Sequence, residues 1–225
     1  MSRFPVARAP RRLLVRLVHV NVGLMLFGYS VACMLRSRVG LGPWDVFHEG
    51  VAVRTPLSVG MVIVATGLAL LVFAAVVARV RPGLGSMLNM ATVGVWVDAF
   101  LGSPLVPRPE GLPVAAALFG AGLVLNGLAT GLYISAGLGA GPRDGFALGL
   151  ARVLGTTVAR ARTLTELAVL AAGWLLGGTV GAGTLVFAVT IGPLMQAGLR
   201  VCAPLARAYE RGAARGGDAF EAPHR

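Results

Sequence analysis

The sequence predicts an all-α membrane bundle of six spans, built as two inverted three-span repeats that each carry a short helix opened by a Gly-Pro turn. Three observations predict it. The composition is 56% hydrophobic and only 13% charged, with a mean hydropathy of +0.78, whereas soluble domains carry roughly 25% charged residues. Six apolar runs are long enough to cross a hydrocarbon core of about 30 Å. Finally, the stretch GLGPWDVFHEG at 40–50 returns as GAGPRDGFALG at 139–149.

The apolar runs are 13–35, 57–78, 83–101, 113–135, 164–180 and 183–201. The first exceeds the roughly 7 to 15 apolar residues of a signal peptide and closes on no small-x-small site, so it is read as a retained span. Residues 1–12 and 202–225 are arginine-rich tails, expected to be mobile and cytoplasmic. Residues 103–112 connect the first membrane repeat, 13–102, to the second, 113–201.

Between the first and second runs of each half lies a shorter segment, 43–54 or 142–153. At ~1.5 Å per residue about 12 residues cannot span the core as a helix. Glycine permits the tight turn, Pro43 and Pro142 suit the first helical position, and Asp45 and Asp144 favour the positive end of a helix. Each motif therefore opens a short helix. Irregular backbone at membrane depth requires protein or a watery cavity around it. A re-entrant pair would thus mark a central site formed by Gly42, Pro43, Trp44, Asp45, Gly141, Pro142, Arg143 and Asp144. The alternative placement lays both helices at the interfaces, with Trp44 as an anchor. A third lets both cross, making eight spans.

The repetition extends through the chain. At an offset of 99, Gly23, Leu24, Leu26 and Gly28 match Gly122, Leu123, Leu125 and Gly127, and the two turn motifs share six identities in eleven positions. At an offset of 98, Gly83, Gly85, Thr92, Gly94, Ala99 and Leu101 match Gly181, Gly183, Thr190, Gly192, Ala197 and Leu199. Three spans per unit is an odd number, so the second unit enters the membrane from the opposite side.

Arginine supplies all 20 basic residues. With six spans and an inside N-terminus, sixteen arginines face the cytoplasm and four, Arg36, Arg38, Arg54 and Arg108, face outside. Eight spans give fifteen against five. Either way the bias puts both termini in the cytoplasm. The net charge of +11 does not point to nucleic acid, because the arginines sit between apolar runs and form no continuous basic surface with aromatics.

Polar residues within the runs face a bundle interior. Ser86, Asn89, Thr92 and Trp96 lie close together on the third run, and Asn126, Thr130 and Tyr133 share a face of the fourth. Their first reading is interhelical hydrogen bonding, worth about 0.6 kcal/mol each. Asn89 and Asn126 are the candidates for a solute pathway. Asp98 is read as interfacial, and Glu166, three residues after Thr163, as part of a capping box. His48 and Glu49 crowd Asp45, but only the aspartate recurs in the second unit, which argues against a proton relay. Cys33 and Cys202 read as packing residues. No metal-ligand spacing, cofactor motif or catalytic arrangement is present in the sequence, so no metal, cofactor or enzyme activity is expected.

The stretches GLGPWDVFHEGVAVRTPLSVG and RPGLGSMLNMATVGVWVDAFL resemble the YczE/YitT-like bacterial integral membrane proteins, with a G-x-G-P-W-D turn after the first span and a G-x-G-[ST]-x-x-N stretch in a later one. The resemblance covers most of 13–201. It implies a multi-pass plasma-membrane protein and supplies no substrate or catalytic residue. The second motif departs from the first at Arg143, where the first has Trp44, so the two short helices need not play equal roles. Two functions are compatible: an inverted-repeat transporter or exporter of a small solute or ion, or an accessory protein in the bilayer that assists a membrane protein partner or a second copy of itself.

Overall fold

The computed structural model describes residues 9–77, 79, 83–139 and 141–216. Much of the predicted N-terminal tail, the end of the C-terminal tail, and the predicted cytoplasmic Arg3, Arg8, Arg81 and Arg225 lie outside the described residues. Those described form eight helices and no strand: α1 (Ala9–Ser37), α2 (Pro43–Arg54), α3 (Val59–Val76), α4 (Leu84–Gly102), α5 (Leu112–Ser135), α6 (Pro142–Leu154), α7 (Val158–Leu175) and α8 (Ala182–Gly216).

Local chemistry sets these boundaries. Gly42 and Gly141 are extended and hand over to Pro43 and Pro142 at the helix starts. Ser58 Oγ accepts from the Met61 N–H to start α3, and Thr157 Oγ1 accepts from the Arg160 N–H to start α7. Gly155, at φ 60°, ends α6 in the left-handed conformation that glycine adopts freely.

Five helices are long and apolar enough to cross a membrane: α1, α3, α4, α5 and α8. The expected sixth span falls in α7, which begins at Val158 and so includes Arg160, Arg162 and Glu166. Three charges in 18 residues set it apart from the other five. The Thr157 cap, not the apolar boundary at 164, decides where it starts. The capping-box reading of Glu166 fails for the same reason, since Glu166 lies well inside α7 and pairs with Arg162. Asp98, near the end of α4, accepts from the Ser58 hydroxyl and the Gly60 N–H, holding α4 to the start of α3. At the C-terminus, α8 passes Pro193 and Pro204 and continues to Gly216 where a tail is predicted.

The core is built on α1 and α5, which run antiparallel. His19 meets Ser135, Gly23 meets Tyr133, Ser30 meets Asn126, and Met34 meets Gly122. Around this pair, α4 packs on α1 and α8 packs on α5, while α2 lies on α7 and α6 on α3. Corresponding helices thus have mostly equivalent neighbours; the largest exception is that α3 and α4 pack together, whereas α7 and α8 scarcely touch. Small residues allow the closest approaches; a Cβ on Gly60 would lie 2.1 Å from the Gly94 carbonyl oxygen. Leu24, Met34, Leu41 and Val97 are fully buried, while Trp174, Leu185 and Val189 present apolar surface outward, as hydrocarbon surroundings allow.

Candidate functional site where the two short helices meet

Each turn motif is fastened to a long helix of the opposite half. The Gly183 N–H donates to the Val39 carbonyl (3.0 Å), and the Gly85 N–H donates to the Leu138 carbonyl (2.7 Å). Offsets of 98 and 99 make these the same bond in the two halves. Gly40 and Gly139, at φ 144° and 119°, turn the chain at both places. The Leu41 N–H also donates to Thr184 Oγ1 (3.2 Å), so the first turn is tied down twice.

These fastenings bring the starts of α2 and α6 together. The Arg143 guanidinium lies over the Trp44 ring, 5.1 Å from its centroid, and its Nη2 is 3.7 Å from Asp45 Oδ1. On the other side of Asp45, His48 Nδ1 is 3.6 Å from the same oxygen. These distances are charge contacts longer than a good hydrogen bond. The Asp45 side chain is 7% exposed. A carboxylate this buried requires a countercharge, and a planar guanidinium can serve a carboxylate and an aromatic face together. His48 is buried, and neither ring nitrogen has a hydrogen-bond partner.

Asp144 occupies the matching position in α6 and has different surroundings. Its Oδ1 is 3.2 Å from Arg162 Nη1, and Arg162 Nε donates to Glu166 Oε1 (3.0 Å). All three side chains are 37–50% exposed. A cleft bounded by Trp44, Arg143, Phe146, Arg162, Thr165 and Glu166 has a volume of about 10 Å³, room for about one water.

The wall residues differ in the same sense. Beside Gly42 stands the Phe187 ring; beside Gly141 stand the Tyr133 hydroxyl and the Asn89 amide. Asn89 therefore belongs to the site with Gly42, Pro43, Trp44, Asp45, Gly141, Pro142, Arg143 and Asp144. Asn126 is placed elsewhere, between α1 and α5, where its Nδ2 donates to Ser30 Oγ (3.0 Å). Sequence reasoning set His48 beside Asp45 but discounted it as a proton relay, and missed Arg162 as a partner of Asp144. The i, i+3 spacing of Asp45 and His48 was a usable signal for the first; no local pattern links Arg162 to Asp144.

A second cavity, of about 580 Å³, lies where α1 and α4 end and α5 begins, with Arg36, Arg38, Arg108, Glu49, Val59 and Leu101 in its lining.

Among known families, DUF6198, a family of unknown function, matches residues 14–199. The uncharacterized membrane protein YczE of Bacillus subtilis (strain 168) is 32% identical over 187 residues, covering 83% of this chain and 86% of that protein. An uncharacterized protein of Haemophilus influenzae is 31% identical over 82% of this chain and 86% of its own. The uncharacterized protein YyaS of Bacillus subtilis is 25% identical over 81% and 91%. No solved structure matches the chain. The matched region takes in both turn motifs and all or much of each long apolar helix, and the chain belongs to the YczE-like family of membrane proteins, DUF6198.

Proposed function

We propose that this membrane protein is a small secondary transporter or exporter of an as yet unidentified solute, made of two inverted three-span repeats in the plasma membrane with both termini cytoplasmic. The observation that carries the reading is the meeting of the two short-helix starts, with Arg143 between Trp44 and Asp45. Interrupted helices whose ends converge on a site between halves are the usual construction of inverted-repeat carriers. The antiparallel α1–α5 pair and the exchanged fastenings of the turns support the two-fold relation. In this reading α7 is the sixth span: at ~1.5 Å per residue its 18 residues reach roughly 27 Å, and Arg162 and Glu166 neutralise each other.

A non-transporting accessory protein is the second reading. It is favoured by the small volume of the cleft, about 10 Å³, and by the pairing of Asp45, Asp144 and Glu166.

Accessibility separates the two. With Cys33 and Cys202 replaced by alanine, Thr165→Cys reports the central cleft and Ser37→Cys the second cavity. In liposomes, a transporter gives anticorrelated labelling of the two positions by a small aqueous thiol reagent as solutes or a pH gradient are varied, because only a ligand with unequal affinities shifts the populations. Labelling that never responds at either position removes transport in favour of the accessory role.

A further inference from the structure

The second cavity lies at the arginine-poor end of the bundle. Among the described residues Arg36, Arg38, Arg54 and Arg108 are the arginines at that end, and three of them line this one space. Arg54 is occupied elsewhere, donating to the Leu176 carbonyl. Arg36 donates to the carbonyls of Leu101 and Val106, finishing the end of α4. Arg38 and Arg108 have no hydrogen-bond or ion-pair partner among the described residues. Glu49, the acid in the lining, accepts from the Thr179 N–H (2.6 Å). Asp98 is held by Ser58 and Gly60, and Glu110, exposed two residues beyond Arg108, is not in the lining. The lining carries three guanidinium groups against one carboxylate.

Backbone conformation at Arg38 is an independent observation. Its φ is 53°, in the left-handed region, where a Cβ crowds the following carbonyl and glycine is the usual occupant. The matching position of the second half, at an offset of 99, is Gly137, with φ 68°. The first half thus holds a long cationic side chain in a conformation for which its own counterpart uses glycine. Strain of this kind is a reason to look for a function at the residue, and its side chain borders the cavity.

We propose that this cavity is an anion site in which Arg38 and Arg108 hold a carboxylate or phosphate group, with Val59, Leu101 and Ala115 against an apolar substituent of the same molecule. Charge-assisted bonds to guanidinium fit both groups, and a cavity of about 580 Å³ is in the size range of small-molecule sites. The proposal goes beyond transport and stands whether or not a solute crosses. The anion is either a free organic acid or phosphate ester, or the headgroup of an anionic lipid.

The test uses the full chain in nanodiscs, with Arg38→Gly, Arg108→Gln and the double variant. Arg38→Gly places the counterpart residue at a position suited to glycine, so it keeps the fold. In neutral phosphatidylcholine discs, titration calorimetry with hexanoate and phenyl phosphate reads the free-anion arm. In discs with phosphatidylglycerol, lipid retained in native mass spectrometry reads the headgroup arm. Binding in the first arm, weakened about 10-fold or more by each substitution and by added salt, establishes a site for a free anion. Selective retention of phosphatidylglycerol by the wild type and not by the double variant establishes a lipid site. If neither arm distinguishes the wild type from the double variant, the cavity is not an anion site. Because binding is read directly, the result does not depend on the accessibility experiment above.

Discussion

The two short helices begin with nearly the same residues and end up in different environments. At the start of α2, Asp45 is buried, its countercharge comes from the opposite half, and Trp44 and Phe187 stand beside the turn, while the position matching Tyr133 is the buried Met34. At the start of α6, Asp144 is 41% exposed and pairs with Arg162 in its own half, and the matching positions hold Arg143, Asn89 and Tyr133. Three substitutions at corresponding sites divide a duplicated framework into a dry half and a polar half. The repeated turn motifs supply the meeting point, while the side chains on them make its two sides chemically unequal.

The comparison assumes that α2 and α6 open toward opposite faces, and the largest effect tests this. In the background without natural cysteines, Thr55→Cys, just after α2, is expected to label only from outside, and Val158→Cys, just after α6, only from inside. Labelling of both from one face would remove the two-sided interpretation, and an inaccessible Ser103→Cys from outside would do the same.

Next in size is the countercharge. Arg143→Gln leaves Asp45 buried without its cation and is expected to destabilise by about 2–4 kcal/mol, somewhat below the ~3–5 kcal/mol for breaking a fully buried pair, because Arg143 is itself 36% exposed. Asp144→Asn removes an exposed pair and is expected to cost under about 1 kcal/mol. Thermal unfolding in detergent compares them; equal shifts would mean that the two aspartates are not differently held.

The turn glycines should differ as well. A Cβ on Gly42 would meet the Phe187 ring at 2.6 Å, whereas one on Gly141 would find the Tyr133 hydroxyl at 3.4 Å. Gly42→Ala is therefore expected to cost about 1–3 kcal/mol through overpacking, and Gly141→Ala less than about 1 kcal/mol. The same unfolding measurement ranks them, and the reverse order would show that the first turn is not the tighter one.

The smallest effect concerns a residue outside the comparison. Asn126→Ala is expected to lose roughly 1 kcal/mol from the bond to Ser30 without altering labelling at Thr165→Cys. A change in labelling would bring Asn126 back into the site.

Much of this was determined by the sequence alone. The Gly-x-Gly-Pro turn with an aspartate two residues on ends one segment and starts another, so the starts of α2 and α6 were legible to the residue, and five of six apolar runs coincide with helices able to span. Where helix ends depend on a hydrogen bond outside the apolar run, hydropathy misplaced them. The Thr157 cap moved the start of α7 into charged sequence, and α8 ran past its apolar stretch. The pairing within the site was decided by tertiary structure. Matching motifs imply matching roles, yet Asp45 and Asp144 took partners from different helices, because the turns stand beside Phe187 in one half and beside Asn89 and Tyr133 in the other, residues that only folding carries to them. A local motif encodes backbone conformation through sterics at a few successive residues; burial and countercharge are properties of space, and the fold assigns them.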